Sequence, residues 1–309
     1  MVNEQPIATT PSLSVVIPVF NDWDNLDHCL AALARQTNAP NFEVIVVDDG
    51  SDFPIPGQLL NWSDSYPLTI VRQPHTGISS ARNTGVRIAK APVFVFVDAD
   101  CRAQANCLAA LEAAINKSLA LSSFQLRLVG DCSTLSGRTE ELRLATLQEH
   151  FVQRDGSIRY LNTAGFAIRR TNVDIERGLF DPAVLRGEDT LLLVQLIQSG
   201  QAPLFVPDAV VEHTVPQALT KSLRKCFRSA YLEAGTYEII AASGFKIRIS
   251  HPERIQLLQS MWKASSDCSI RRLPWFILVF SQALQRLISV GHSWLTRPAW
   301  MRRSPQPIL

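Results

Sequence analysis

The sequence FVFVDADCRA, residues 94–103, joins an apolar run directly to two carboxylates. Residues 93–97 alternate valine and phenylalanine, which is typical of a buried strand. Asp98 and Asp100 follow at once, with one alanine between them. Side chains two positions apart on an extended chain point the same way, so the pair predicts a site for a hard divalent cation. A surface turn is the alternative for the tripeptide on its own.

The first hundred residues alternate strand-like and helix-like segments. The strand-like segments are 13–20, 42–51, 68–73 and 93–97, and the helix-like ones are 24–35 and 78–90. This pattern predicts an α/β fold with a mostly parallel central sheet flanked by helices. Ligands of such sheets bind at the carboxyl ends of the strands. The polar residues expected to meet at that edge are Asn21, Asp48, Asp49, Asp98 and Asp100.

The second half of the chain mixes both kinds of element. Helices are predicted near 104–117, 134–150 and 187–200, and extended segments near 122–129, 160–170 and 203–215. Pro207 is expected to interrupt the last of these segments. We find no internal repeat and no low-complexity run, so a single large domain with an appendage is expected.

Charge is unevenly distributed along the 309 residues, although the net charge is only +2. Residues 221–309 hold 14 Lys and Arg against 4 Asp and Glu, whereas residues 1–220 hold 16 and 24. A basic end on an acidic body predicts contact with an anionic partner such as a membrane surface, lipid phosphates or nucleic acid. A solvated basic tail is the alternative.

Residues 273–290 are predicted to form an amphipathic helix. Their purely apolar run stops at Phe280, which is too short for a transmembrane helix. The apolar face of this helix either lies in a membrane interface or covers the protein's own core. The N-terminus has no secretory signal pattern, and the six cysteines lack paired metal-ligand spacing. We therefore expect reduced thiols and a cytoplasmic protein.

Five short motifs occur in order along the chain: PVFND (18–22), VVDDGS (46–51), GISSARNTG (77–85), DADC (98–101) and GEDT (187–190). In order and spacing they resemble the family 2 glycosyltransferases, which are inverting enzymes with the Rossmann-like GT-A fold. The resemblance extends over about residues 12–215. It implies a GT-A domain at 12–218, after a flexible N-terminus at 1–11 and before a basic, mainly helical C-terminal extension at 219–309.

The resemblance also implies roles for individual residues. Those expected to bind the nucleotide-sugar donor are Pro18, Asn21, Asp48, Asp49, Arg82, Asn83, Asp98 and Ala99. Asp100 is the expected ligand of Mn²⁺ or Mg²⁺, joined by Asp98 and by His213. For Arg82 the alternative is a purely structural pairing with Asp98, and for His213 it is an ordinary hydrogen-bonded histidine.

The expected catalytic residues are Asp189 and Glu188 of the GEDT motif. The resemblance implies that Asp189 is the general base of a single displacement, with Glu188 holding the acceptor or the backbone. One of the two carboxylates could instead serve only as a helix cap. The expected acceptor is a glycan or a lipid-linked saccharide in cell-surface polysaccharide or glycolipid synthesis. The enzyme is expected at the cytoplasmic face of the membrane as a peripheral protein, without a nucleic-acid partner.

Three other classes of protein fit the motifs less well. A signalling receiver domain is too short to explain GEDT. A sugar nucleotidyltransferase should have a glycine-rich loop after the first strand, where this chain reads VFNDWDN. A non-catalytic relative that binds nucleotide sugars or glycans remains an alternative. The segment KSLRKCFRS (221–229) lacks the tryptophan of the Q/R-x-x-R-W motif of processive synthases, so transfer of one sugar per encounter is predicted.

Overall fold

A computed structural model describes residues 10–184, 186–214, 251–265 and 272–280, together with residues 283 and 287. Most of the predicted N-terminal segment, the predicted boundary near 218 and the segment KSLRKCFRS lie outside these described residues. The division into three regions therefore stays a prediction.

The described strands form one mixed sheet of eight, in the order β3-β2-β1-β4-β7-β6-β8-β5. They are β1 (Leu13–Val19), β2 (Phe42–Asp48), β3 (Leu68–Arg72), β4 (Val93–Phe96), β5 (Cys101–Ala103), β6 (Ser123–Gly130), β7 (Phe166–Arg169) and β8 (Leu204–His213). The first four strands pair in parallel, as predicted. β7 lies antiparallel between β4 and β6, and β5 runs antiparallel to β8. The α/β prediction is confirmed, with a mixed second half.

Helices cover both faces of this sheet. The described helices are α1 (Trp23–Ala34), α2 (Ile78–Ile88), α3 (Cys107–Lys117), α4 (Leu135–Phe151), α5 (Glu188–Gln198) and α6 (His251–Ala264). Neighbouring residues of β1 point to opposite faces. Val15 belongs to the core cluster that contains α1 and α3 residues, and Val16 belongs to the one that contains α2 and α5 residues. Both faces are therefore apolar, which explains why the strands are continuous hydrophobic runs.

Gly85 allows α2 to pack unusually close to β1. A Cβ atom at this position would lie 2.3 Å from Cγ1 of Val16, so a larger residue would push the helix away. The close approach brings Arg82 and Asn83, one turn earlier on the same helix, down against the sheet, where both are buried.

One local prediction from the sequence is wrong and another is confirmed. β4 ends at Phe96, and Asp98 to Asp100 form a turn in which the N–H of Cys101 donates to the carbonyl of Asp98 at 3.0 Å. The extended geometry assumed for the two carboxylates therefore does not persist. The interruption expected at Pro207 is present: β8 continues through it, but a register shift places Val206 and Val210 opposite consecutive residues of β6.

The predicted strand at 160–170 is shorter than expected. A short 3₁₀ turn, Thr163–Gly165, occupies its middle, and only Phe166–Arg169 pairs with neighbouring strands. The side-chain oxygen of Asn162 accepts a hydrogen bond from the N–H of Ala164 at 3.0 Å and so caps this turn. The turn lies beside the start of α5, where the N–H of Thr163 is 3.4 Å from Oδ2 of Asp189.

Candidate active site

The ends of β1 and β2 meet at one edge of the sheet, as predicted, and Asn21 ties them together. Its backbone has a φ of 54°, and its N–H donates to Oγ of Ser51 at 2.9 Å. Its side chain exchanges two hydrogen bonds of 2.8 Å with Asp52. Pro18 is buried in β1 and has no backbone N–H. It lies beyond the last β1 residue that pairs with β4, so the missing N–H leaves no hydrogen bond to β4 unmade.

Asp48 supports the turn after β2. It is fully buried; its Oδ1 accepts from the N–H of Ser51 at 2.9 Å, and its Oδ2 lies 3.5 Å from Nε of Arg72. The carboxylate is enclosed by the protein, and the expected part of Asp48 in donor binding stays a prediction.

Asp49 organises the segment between β3 and α2. Oδ1 accepts from Nε2 of Gln73 at 2.8 Å and from the N–H of Thr76 at 3.0 Å. Oδ2 accepts from the N–H of Gly77 at 2.9 Å and lies 2.8 Å from Nδ1 of His75. The exposed ring of Phe20 stacks on His75 with a centroid distance of 4.2 Å. Contact between Asp49 and the donor stays a prediction.

Arg82 connects the end of β4 with the start of α5. Its guanidinium donates to Oδ1 of Asp98 at 2.7 Å and to Oε1 of Glu188 at 2.9 Å, and its side chain is only 1% exposed. Its Cζ also lies 5.4 Å from the ring centre of Phe180. Burial alone would lower the pKa of Arg82, but Asp98 and Glu188 outweigh it and hold that pKa above the ordinary value. The structural pairing with Asp98 is therefore present.

Asn83 holds the segment that leads to α5. Its Oδ1 accepts from the N–H groups of Leu179 and Phe180, each at 3.0 Å, and its Nδ2 donates to the carbonyl of Phe180 at 2.7 Å. These contacts occupy the amide, so its predicted contact with a donor stays untested. Ala99 is likewise buried in the core, and its side chain packs there.

Glu188 and Asp189 open α5 without capping it. Gly187, at a φ of 86°, is the N-cap residue, and no side chain caps the first turn. Burial alone would raise the pKa of Glu188, but the Arg82 charge outweighs it and lowers that pKa. Burial and the negative charge of Glu188 together raise the pKa of Asp189 to about 7. Oδ2 of Asp189 lies 3.4 Å from the N–H of Thr163.

Asp100 and His213 form a second corner of the site. Oδ2 of Asp100 lies 3.4 Å from Nε2 of His213. Ligand atoms of Asp100, His213 and Cys101 all lie within 4.8 Å of one another. Carboxylate oxygen suits Mn²⁺ or Mg²⁺, and imidazole nitrogen is a common metal ligand. Burial and the nearby carboxylates hold the pKa of the Cys101 thiol well above its ordinary value, so the thiol stays protonated.

The structure therefore separates the two aspartates of the DAD tripeptide. Asp98 pairs with Arg82, and Asp100 faces His213. The metal-ligand cluster found among the described residues contains Asp100 and His213 but not Asp98. The role of Asp98 as a second metal ligand stays a prediction.

Helix α4 contributes residues that the sequence did not single out. Oε1 of Glu140 lies 3.5 Å from Nδ1 of His213, and Arg143 forms two hydrogen bonds with the same carboxylate. Burial alone would lower the pKa of His213, but Asp100 and Glu140 raise it to about 9. In the sequence a Glu and an Arg three residues apart on a helix look like a surface ion pair, so no signal marked them.

A curled mixed sheet with acidic residues along the carboxyl edge of its parallel half defines a GT-A protein. This chain belongs to glycosyltransferase family 2, because the family model described as "Glycosyl transferase family 2" matches residues 14–177. The predicted family is thus confirmed.

Relatives and solved structures agree with this assignment. The chain is 45% identical over 91 residues to a validoxylamine A glucosyltransferase of Streptomyces hygroscopicus subsp. limoneus, which covers 28% of this chain and 20% of that protein. The curated relatives are matched over about a fifth to a half of their own length.

Two solved structures share the fold. One is the mannosyltransferase PcManGT from Pyrobaculum calidifontis in complex with GDP-Man and Mn²⁺, with a TM-score of 0.61, 18% identity, and coverage of 94% of this chain and 89% of that one. The other is S. aureus TarS 1–349 in complex with UDP-GlcNAc, with a TM-score of 0.53, 15% identity, and coverage of 92% and 91%. The described part of this chain contains no helix long and apolar enough to cross a membrane.

Proposed function

We propose that this chain transfers one sugar from a nucleoside-diphosphate sugar to an acceptor hydroxyl, with inversion at the anomeric carbon. The observation that carries the proposal is the contrast between the two adjacent carboxylates of α5. Glu188 is held by buried Arg82, whereas Asp189 has a pKa raised to about 7 and can exchange a proton near neutral pH. A general base works best with its pKa near the working pH.

In the proposed reaction, Asp189 accepts the proton of the acceptor hydroxyl. The acceptor oxygen forms a bond to the anomeric carbon while the bond from that carbon to the diphosphate oxygen breaks. Because one displacement occurs and no covalent intermediate forms, the configuration inverts. Glu188 lies 2.9 Å from Arg82, which also binds Asp98. This shared partner keeps the start of α5 close to the end of β4.

We further propose that the DAD tripeptide acts as a metal-binding DxD motif. Asp100 and His213 would hold Mn²⁺ or Mg²⁺, because a carboxylate oxygen and an imidazole nitrogen already face each other there. The ion, when bound, neutralises charge on the diphosphate leaving group. Asp98 would contact the donor from its place beside Arg82.

The donor is proposed to carry a hexose or an N-acetylhexosamine. The two solved structures reported above are complexes with GDP-Man and with UDP-GlcNAc, so both purine and pyrimidine donors belong in a binding panel. Asp49, Asn21 and the stacked pair of Phe20 and His75 line the edge where the base would lie.

The acceptor is proposed to be a glycan or a lipid-linked saccharide of cell-surface polysaccharide or glycolipid synthesis, used at the cytoplasmic face of a membrane. Residues 273–280 are helical, and Leu278 packs against α6. Phe276 and Phe280 of the same helix are 57% and 61% exposed. Exposed aromatic residues within a basic region favour an anionic membrane surface as a partner.

A donor panel tests the proposed activity. GDP-mannose, UDP-N-acetylglucosamine and the donors with the two bases exchanged, UDP-mannose and GDP-N-acetylglucosamine, would be titrated into the full chain with MnCl₂ by calorimetry. Release of nucleoside diphosphate would then be followed with the donor that binds. We expect Asp189→Asn to lower that release about 100-fold or more with little change in donor affinity.

Asp208→Asn is the matched control, because Asp208 is exposed on β8. We expect it to leave both donor affinity and turnover unchanged. Absence of binding by every nucleotide sugar in the panel would overturn the proposed function, and unchanged turnover in Asp189→Asn would overturn the assignment of the base.

A further inference from the structure

Both ring nitrogens of His213 have a carboxylate partner. Nε2 lies 3.4 Å from Oδ2 of Asp100, on the side where a cation would bind. Nδ1 lies 3.5 Å from Oε1 of Glu140, which comes from α4 on the opposite side of the ring. The side chain of His213 is 17% exposed, as is that of Glu140, so the second contact is largely shielded from water.

Glu140 is itself held in one orientation. Nε of Arg143 donates to Oε2 at 2.8 Å and Nη2 donates to Oε1 at 2.5 Å, which is the two-pronged geometry of a guanidinium and a carboxylate. Arg143 also contacts the hydroxyl of Tyr160, which accepts from Nδ2 of Asn162 at 3.3 Å. The carboxylate is thus part of a connected polar network and is not a solitary surface charge.

The helix that carries Glu140 is anchored where His213 ends its strand. Gly130, opposite His213 in the pairing of β6 with β8, donates its N–H to Oε2 of Glu141 at 2.5 Å. A Cβ atom on Gly130 would lie 2.4 Å from the carbonyl oxygen of Gly137, so α4 packs directly on the strand end. The distance between Glu140 and His213 is therefore set by a rigid contact between elements.

We propose that Glu140 is a positioning residue that holds the His213 ring with Nε2 facing Asp100, and that Arg143 holds Glu140. The metal-related part rests on the proposed function, in which His213 is a ligand of the divalent cation. A ligating imidazole keeps its orientation and its basicity when a carboxylate accepts a hydrogen bond from its other nitrogen. Loss of such a partner weakens metal binding by about 10- to 100-fold.

The test uses the full chain and the nearly isosteric variant Glu140→Gln. Mn²⁺ affinity would be measured by electron paramagnetic resonance in the presence of the nucleoside diphosphate, GDP or UDP, that binds. We expect the dissociation constant of Mn²⁺ to rise about 10-fold or more. Glu149→Gln is the matched control, since Glu149 lies exposed on the same helix and should leave the affinity unchanged.

A second readout is independent of any metal. Long-range ¹H–¹⁵N spectra of the histidine rings, with His213→Asn used to identify the His213 signals, report the tautomer and the environment of each nitrogen. Without metal, Glu140→Gln should shift the Nδ1 signal of His213 and leave the other five histidines in place. If the wild type binds no Mn²⁺ at all, the metal proposal fails while this spectrum still decides the positioning role.

Unchanged His213 signals and unchanged Mn²⁺ affinity in a folded Glu140→Gln variant would overturn the inference. Should that variant fail to fold, Arg143→Lys would take its place, because lysine keeps the charge but lacks the two-pronged donor. We expect it to shift the same His213 signal, with a several-fold loss of Mn²⁺ affinity, and no shift there would equally overturn the inference.

Discussion

Two neighbouring carboxylates on α5 acquire opposite properties from their surroundings. The buried guanidinium of Arg82 lies 2.9 Å from Glu188 and favours the ionised form of that group. Asp189 has a long contact with the N–H of Thr163, and burial together with the charge of Glu188 opposes its ionisation. Residue type alone does not separate these two side chains, but their partners do.

The raised pKa of Asp189 predicts a pH dependence. A general base acts when deprotonated, so at saturating metal we expect kcat to fall about tenfold per pH unit below about 7 and to level off above it. The charged groups that influence Asp189 are Glu188, Arg82 and Arg186. The measurement is the pH profile of nucleoside diphosphate release.

Glu188→Gln provides the test of the cause. Removing the negative neighbour should lower the pKa of Asp189, so the acidic limb of the profile should move to lower pH even if the maximum rate falls. A limb that stays in place or moves to higher pH would show that Glu188 does not control the ionisation of Asp189. The linked effect on stability has the matching sign. Since the folded-state pKa is raised, ionisation of Asp189 destabilises the fold as the pH rises from about 4 to about 7.

At the scale of elements, helix α2 connects the end of β4 with α5 and with the segment that leads into α5. Arg82 binds the carboxylates that follow β4 and open α5. The adjacent Asn83 binds the backbone of Leu179 and Phe180. Gly178 crosses so close that a Cβ atom there would lie 2.6 Å from Nδ2 of Asn83, and its φ of 85° also favours glycine. The segment before α5 is thus docked on α2.

We predict that Asn83→Ala destabilises the fold and loosens this segment. The change leaves two N–H groups and one carbonyl of a largely buried backbone without partners, at a cost of about 1–3 kcal/mol in the free energy of unfolding. Turnover should also fall, because Asp189 follows the same segment. Urea unfolding and the transfer assay measure the two effects.

Asn172→Ala is the comparison for that variant. Asn172 is exposed, and among the described residues its side chain bonds to two other side chains, Thr171 and Gln201. Its removal should change the free energy of unfolding by less than about 0.5 kcal/mol. Equal effects of the two substitutions would contradict the docking role of Asn83.

At the scale of the whole molecule, basic residues predominate at the C-terminal end and acidic residues in the rest of the chain. Residues 221–309 hold 14 basic and 4 acidic residues, and the exposed aromatic residues Phe276 and Phe280 lie in the same region. These two features are the basis of the proposed contact with an anionic membrane surface.

We predict that the full chain floats with vesicles that contain anionic lipid and much less with purely zwitterionic ones. Phe276→Ser combined with Phe280→Ser should reduce the recovered fraction several-fold without unfolding the protein, since both side chains are exposed. Phe53→Ser is the control, because Phe53 is 70% exposed outside the basic region. Recovery that is the same with anionic lipid, with neutral lipid and without lipid would refute the proposed surface.

Much of this architecture follows from the sequence by itself. Four parallel strands, the helices between them and the family all follow from local patterns, since apolar runs of strand length and ordered motifs report what each segment buries. The edge where Asn21, Asp48 and Asp49 meet also follows, because parallel strands end on the same side.

Only the tertiary structure decided which charges meet. Because of the turn after Phe96, Asp98 contacts Arg82 and Asp100 contacts His213. Helix α4 brings Glu140 next to the other ring nitrogen of the same histidine. Helix α4 is distant in sequence from the motifs at 98–101 and 187–190, and a Glu–Arg pair on a helix is locally the same whether it faces water or a strand. Pairing across such distances depends on how elements pack, and that information is absent from any local stretch of sequence.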